Sequence, residues 1–507
     1  MTGIEINGAP PVREFPRTSC FTACRSLVVV VAAAAAFGTS SCDLGGGKSG
    51  VTAPLDRIFL PSGASVVDSG RRLLVVNSNS DLRYSTGTVV PIDLTAVTED
   101  RNKATWLACP SVDYRPRKSA GRFCCKDLLD PRVLNCDDRP YADSTTTVRI
   151  GSFGTAPVLQ SFKRGGQSTD RLFFAVRADP SVTFVDATTE AGRSVLRCTG
   201  TIGSRVIASA NPQCSGDFRV ESGVLLEGSK VDLPEEPFDL HIDSALGVLY
   251  VGHLVGGISS LDICGAELDI KPRLAGVLAS AYSGTEGAGG VTSSVSSLPG
   301  DPTAPVFTTA RVGFSLGQVY LREGKSLLGQ CSASAARDLT LVAAAPNAAT
   351  AFIPRGGDTR GLVYQPDRGR AFILHRNTPG NPAALSRVRI VKGARGESEF
   401  APEDSIDVCA GPSQLQLYET GRGSRLFITC FDSGQVYVVE PETMVVTHEI
   451  DVGRGPSMLL FDENNGDFAY VTGFIDNNVS VIDLRINSPT EARVVQRIGF
   501  PRTSTQL

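Results

Sequence analysis

Histidine, tryptophan and lysine are scarce in this chain, at 4, 1 and 9 among 507 residues. So few imidazoles leave little for histidine-based catalysis or metal ligation. There is no Gly-x-Ser-x-Gly, no His-Glu-x-x-His and no P-loop, so the common sequence signs of a serine hydrolase, a zinc protease or a P-loop nucleotide enzyme are missing. No Cys-x-x-Cys pair offers a zinc site. Asp462–Asp467 (DENNGD) misses the spacing of a calcium loop. The formal charge is −4, and no Lys/Arg cluster with interleaved aromatics is present, so nucleic acid is not an expected partner. No metal and no cofactor is expected from these residues.

What is present is turn chemistry and short apolar runs. The chain holds 52 Gly and 30 Pro and is 41% hydrophobic, with little amphipathic helical periodicity, which points to an all-β protein. One longer apolar run exists, Leu27–Phe37, preceded by Arg13, Arg17 and Arg25. It is short for a membrane span and suits the core of a signal peptide. It leads into Gly-Thr-Ser-Ser-Cys, ending at Cys42.

Thirteen cysteines fit export. Cys20 and Cys24 fall in the leader. Cys109, Cys124, Cys125, Cys136, Cys198, Cys214, Cys264, Cys331, Cys409 and Cys430 remain as an even set for disulfides.

The chain also repeats itself. GQVYLRE (Gly317–Glu323) returns as GQVYVVE (Gly434–Glu440), and Gly411-Pro412-Ser413 returns as Gly455-Pro456-Ser457. Seven segments read as two strands joined by a tight turn: Val66–Asn77, Leu159–Arg177, Leu240–His253, Leu298–Arg311, Leu362–His375, Leu415–Cys430 and Leu459–Gly473. A third strand follows each, and several units add a fourth that ends in a Gly/Pro corner. Four strands in about 44 residues is the size of one propeller blade. The expectation is a seven-bladed β-propeller of four-stranded antiparallel blades, with long loop insertions.

Two stretches carry the resemblance to known families. Ser40-Ser41-Cys42 resembles the cleavage box of bacterial lipoproteins, with Thr39 in place of the usual aliphatic residue. That resemblance implies removal of residues 1–41, lipid on Cys42 and a tether over 42–54. Ordinary cleavage after the alanine run is the alternative. Ala469–Leu484 (AYVTGFIDNNVSVIDL) resembles the repeat of YVTN-type bacterial propellers: Tyr470, Val471, Thr472, Val479, Val481, Ile482 and Asp483 match, and Gly473 departs. It implies an exported binding or scaffolding propeller over 55–507, and it carries over no catalytic residue.

Within that frame, residues 95–147 and 265–298 read as insertions, and Leu55–Leu60 as an edge strand that joins the last blade and closes the ring. Cys409 and Cys430 occupy the positions of Gly453 and Gly473 in the next unit, which predicts that they are bonded. Cys198–Cys214 and Cys264–Cys331 are expected pairs, and the four cysteines of the first insertion are expected to pair among themselves. Asn77, Arg177, His253, Arg311 and His375 end the second strands and form a candidate binding rim at the channel. The alternative is that they satisfy loop backbone groups. The recurrent Asp93, Asp186, Asp262 and Asp483 read as structural turn positions.

The functional expectation is an envelope lipoprotein held at the membrane by its N-terminal lipid, facing the periplasm or the cell surface. It would bind another envelope protein or a small ligand without catalysis. A lactonase-like or quinone-dependent propeller enzyme and a surface adhesion protein are the alternatives.

Overall fold

The computed structural model describes residues 51–500 except 104, 113, 117–122, 191–192, 203–210, 226, 281–291, 312–315, 323–330, 332–336, 344–357, 377–381, 393–397, 422 and 463–465. The leader, Cys42 and most of the tether lie outside the described residues.

Seven antiparallel sheets follow one another along the chain, each with a four-stranded core in sequence order from the inside out. The first strands are Pro61–Val67, Val158–Arg164, Pro237–Asp243, Thr292–Ser296, Thr359–Gln365, Pro412–Thr420 and Pro456–Phe461. They surround a central channel, and the chain is a seven-bladed β-propeller.

The second and third strands carry the core. Val248–His253, Gly257–Asp262, Phe468–Gly473 and Asn478–Asp483 are buried at every residue. Strands covered on both faces lose the polar/apolar alternation of half-exposed strands and read as runs. Neighbouring blades share these faces: one cluster joins Leu74 and Val76 of blade 1, Phe173 and Phe184 of blade 2, and Leu249 and Val251 of blade 3.

The recurrent aspartates tie down positive side chains or turn groups. Asp186 holds Arg171 through two bonds of 2.6 and 2.9 Å, both residues being buried. Asp262 takes Arg273 and Arg337, and Asp483 takes Arg485, Ser488 and Thr490. Asp93 pairs with Arg72 and caps the helix Leu94–Asn102. Five disulfides join the ten cysteines: 109 to 125, 124 to 136, 198 to 214, 264 to 331, and 409 to 430.

Three expectations are corrected. Residues 265–298 are no single loop insertion. Arg273–Leu278 is the fourth strand of blade 3 and Thr292–Ser296 the first strand of blade 4. The second of these (TSSVS) is too polar to read as apolar because it lines the channel. For the same reason the first hairpin of blade 4 begins earlier than Leu298.

Leu55–Leu60 forms no strand. The outer edge of blade 7 is extended instead by the first insertion. Leu134–Cys136 runs parallel to Arg493–Gly499, and Cys124–Lys126 adds a further strand. Residues 95–147 are thus partly ordered structure that spans the seam of the ring.

Candidate functional site: the central channel

One feature of the ladders recurs in six blades. The pairing between first and second strands slips by one residue at the second position of the first strand, in every blade except blade 2. A bulge of this kind re-aims a side chain. The bulged residues are Ser62, Phe238, Ser293, Arg360, Ser413 and Ser457, and all six line the channel.

In blades 4, 6 and 7 the bulged serine is a latch between blades. Ser413 Oγ bonds Thr429 of its own blade at 2.9 Å and donates to the Pro456 carbonyl of the next at 3.0 Å. Ser457 does the same with Thr472 and with the Pro61 carbonyl, across the seam of the ring. Ser293 bridges Thr309 to the Thr359 carbonyl. The corner glycines before two of these serines, Gly411 and Gly455, have φ of 62° and 68°, a conformation glycine adopts without a Cβ penalty.

The channel widens into a cavity of about 780 Å³ that touches all seven blades. Its mouth is set by the residues that follow the second strands, among them Ser78, Arg177, Arg376, Phe431 and Phe474. Phe431 and Phe474 lie 6.1 Å apart between ring centroids. Arg177 reaches over Phe153 and Phe238 at 5.8 and 6.0 Å and is bonded to Glu236.

Deeper in, blade 3 contributes Asp239 and His241. Burial pushes the Asp239 carboxyl up to about 6, against the pull of the Val295 amide that donates to it at 2.7 Å. Burial holds His241 down at about 4, so it is neutral at physiological pH, within 3.0 Å of Ser297 Oγ. Burial also raises the Tyr364 hydroxyl well above its ordinary value, and it has no hydrogen-bond partner among the described residues.

Of the five residues expected on the rim, only Arg177 lines the cavity. Arg311 sits nearby, 3.8 Å from Asp358. Asn77, His253 and His375 are fully buried inside their blades. Each bonds a hydroxyl at the start of the third strand: Thr88, Ser259 and Ser386 respectively. Asn77 and His253 also hold the chain entering the first strand, through the Arg57 and Glu235 carbonyls.

The physical reason is a slip of one residue. The last residue of the second strand points into the blade, and the next one faces the mouth. Applying that rule to His375 yields Arg376. Phe238 and Arg360 were missed because a bulge leaves no mark in apolar periodicity. Among the described residues, no group of three or more His, Cys, Asp or Glu is placed to hold a metal ion.

No protein-family model matches the chain, and no curated protein matches it in sequence. Solved structures are similar to it at low identity. A structure titled Kuenenia stuttgartiensis hydrazine synthase matches at 12% identity and a TM-score of 0.48, over 88% of this chain and 99% of that one. The periplasmic gluconolactonase PpgL of Pseudomonas aeruginosa matches at 15% and 0.42, over 68% and 85%. The β-propeller domain of Cps50 (Swd1) from Myceliophteria thermophila matches at 9% and 0.45, over 85% and 98%. Likenesses this distant carry no argument about activity.

Proposed function

We propose that this chain is an exported, lipid-anchored propeller of the YVTN type in a bacterial envelope, acting as a binding module that takes a small molecule into its channel. The observation that carries the reading is the cavity itself. At about 780 Å³ it lies within the size range of ligand sites. It is walled by apolar and hydroxyl side chains with a few charged groups near the mouth, which is the usual make-up of such a site.

The test has two arms. Mass spectrometry of the mature protein is expected to find diacylglycerol on Cys42, and an unmodified N-terminus after the alanine run would overturn the anchor. Small molecules released from the natively purified protein are expected to include one that is lost in the channel-filling variant Ser296→Trp. Recovery of none from the folded wild type would overturn the binding reading.

A hydrolytic propeller is the second reading, favoured by one observation. Asp239 lines the channel with a carboxyl that burial lifts to about 6, within the range of an acid or base working near neutral pH, and His241 lies two residues along the same strand. Turnover of a lactone that is abolished by Asp239→Asn would favour it.

A further inference from the structure

We propose that the channel's ligand carries an oxyanion, a carboxylate or a phosphate, seated on Arg360, with a flat apolar body packed against Phe238. This rests on the channel being a small-molecule site.

Comparing the blades with one another supplies the argument. At the bulge, four blades carry the same residue, and in three of them its hydroxyl is consumed by the latch. Repetition there explains itself as architecture. Blades 3 and 5 depart, with Phe238 and Arg360 at the same point of the same irregularity. Neither residue can make the serine latch, so both give up an inter-blade bridge and put a large side chain at the channel wall.

The charge near Arg360 is not balanced. Arg311, Arg360 and Arg376 face two carboxylates, Asp358 and Asp432. Asp358 is shared, at 2.8 Å from Arg360 and 3.8 Å from Arg311. Asp432 takes Arg376 at 3.3 Å. Among the described residues the sector therefore holds one positive charge in excess. The Arg360 side chain is only 10% exposed. Burial, and then the fields of Arg311 and Arg376, pull its proton affinity down against the support of Asp358. An incoming oxyanion relieves that repulsion at Arg360, the best shielded of the three arginines. Asp358 engages Nε and Nη2 of the guanidinium, which leaves its Nη1–Nη2 end to meet carboxylate or phosphate oxygens.

The opposite polarity lies on blade 3. Glu236 is occupied by Arg177, and Asp239 keeps its carboxylate in the cavity. A second acidic group on the ligand would meet Asp239, so the oxyanion belongs at one end of the molecule. Phe238, with Arg177 above it, offers a flat face for the apolar remainder.

Isothermal titration with naphthaleneacetate, naphthyl phosphate and the neutral naphthaleneacetamide tests this on the folded mature protein. At least one of the two anions is expected to bind at least tenfold more tightly than the amide. Whichever of the two prevails identifies the oxyanion. Arg360→Gln is expected to erase that preference, and Phe238→Ala to weaken all three alike. If Arg360→Gln fails to fold because Asp358 is left bare, Asp358→Asn/Arg360→Gln removes the pair together and answers the same question. Equal binding of anions and amide would overturn the oxyanion while leaving the channel as a binding site. A preference that survives the loss of Arg360 would overturn its placement. Binding of none of the three would overturn the flat-bodied oxyanion ligand, while the release experiment decides separately whether the channel takes a small molecule.

Discussion

His253 and His375 show how one side chain can look functional in sequence and be structural in place. Both end a second strand, both are fully buried, and both are neutral, with burial holding them at about 4. In the unfolded chain each titrates near 6.5. Between about pH 4 and 6.5 the unfolded state therefore binds more protons, and stability must fall as pH falls through that window. Each histidine accounts for up to about 2–3 kcal/mol of that loss, since one pKa unit is about 1.4 kcal/mol. Denaturant titrations at about pH 7 and 4.5 are expected to show the decline. It should become shallower in His375→Asn, whose amide can keep the bond to Ser386. An unchanged pH slope would mean that the ring is already charged in the native state. At this scale the sequence was legible to within one residue. It marked the ends of the second strands, but it could not say which of two adjacent residues points inward.

Among the elements, the first strand was the hardest to read and explains the most. The second and third strands are buried on both faces, so their apolar runs stood out. First strands line the channel with a mixture of polar and apolar residues. In blade 4 that strand is TSSVS, and it was missed. Yet the Gly-Pro-Ser echo at Gly411–Ser413 and Gly455–Ser457 was visible, and each of its residues has a physical role. The glycine turns the corner at positive φ. The proline begins a strand whose inner edge has no partner, where a missing N–H costs nothing. The serine latches the next blade. Ser413→Ala is expected to cost about 1 kcal/mol in chemical denaturation, as the loss of a half-buried hydroxyl that joins two partners. Ser457→Ala should cost at least as much, because its latch reaches Pro61 across the seam. A change near zero for both would mean that the latch is incidental to blade packing.

For the molecule as a whole, the question is how the ring stays shut. The four core strands of blade 7 all come from the end of the chain and those of blade 1 from its beginning, so no core strand is exchanged across the seam. The seam is held by Ser457 on the Pro61 carbonyl, by the Leu60 amide donating to Asn477 at 2.7 Å, and by the first insertion. That insertion leaves blade 1, lays Leu134–Cys136 along the edge of blade 7, and returns. On the way Arg101 stacks over Phe468 at 3.9 Å, and Asp138 accepts from the Ile58 amide at 2.5 Å. Cys109–Cys125 and Cys124–Cys136 pin this clasp internally. Nothing in the composition of residues 95–147 revealed that they pair with residues 493–499, because strand pairing across so long a separation leaves no local pattern.

A matched comparison isolates the clasp. Cys124–Cys136 and Cys198–Cys214 close loops of similar size, 12 and 16 residues in sequence separation. Loop-closure entropy gives the two nearly the same worth, about 3 kcal/mol each. The second pair lies within the elements of blade 2 and the segment after it, away from the seam. Removing it as Cys198→Ser/Cys214→Ser should lower the melting temperature and leave a monomer. Removing the first as Cys124→Ser/Cys136→Ser should lower it further. It should also free the edge at Arg493–Gly499, whose unpaired backbone groups recruit other chains. Light scattering after size exclusion is then expected to show self-association for the clasp variant alone. Equal melting shifts with two monomers would mean that the serine latch and Asn477 hold the seam by themselves.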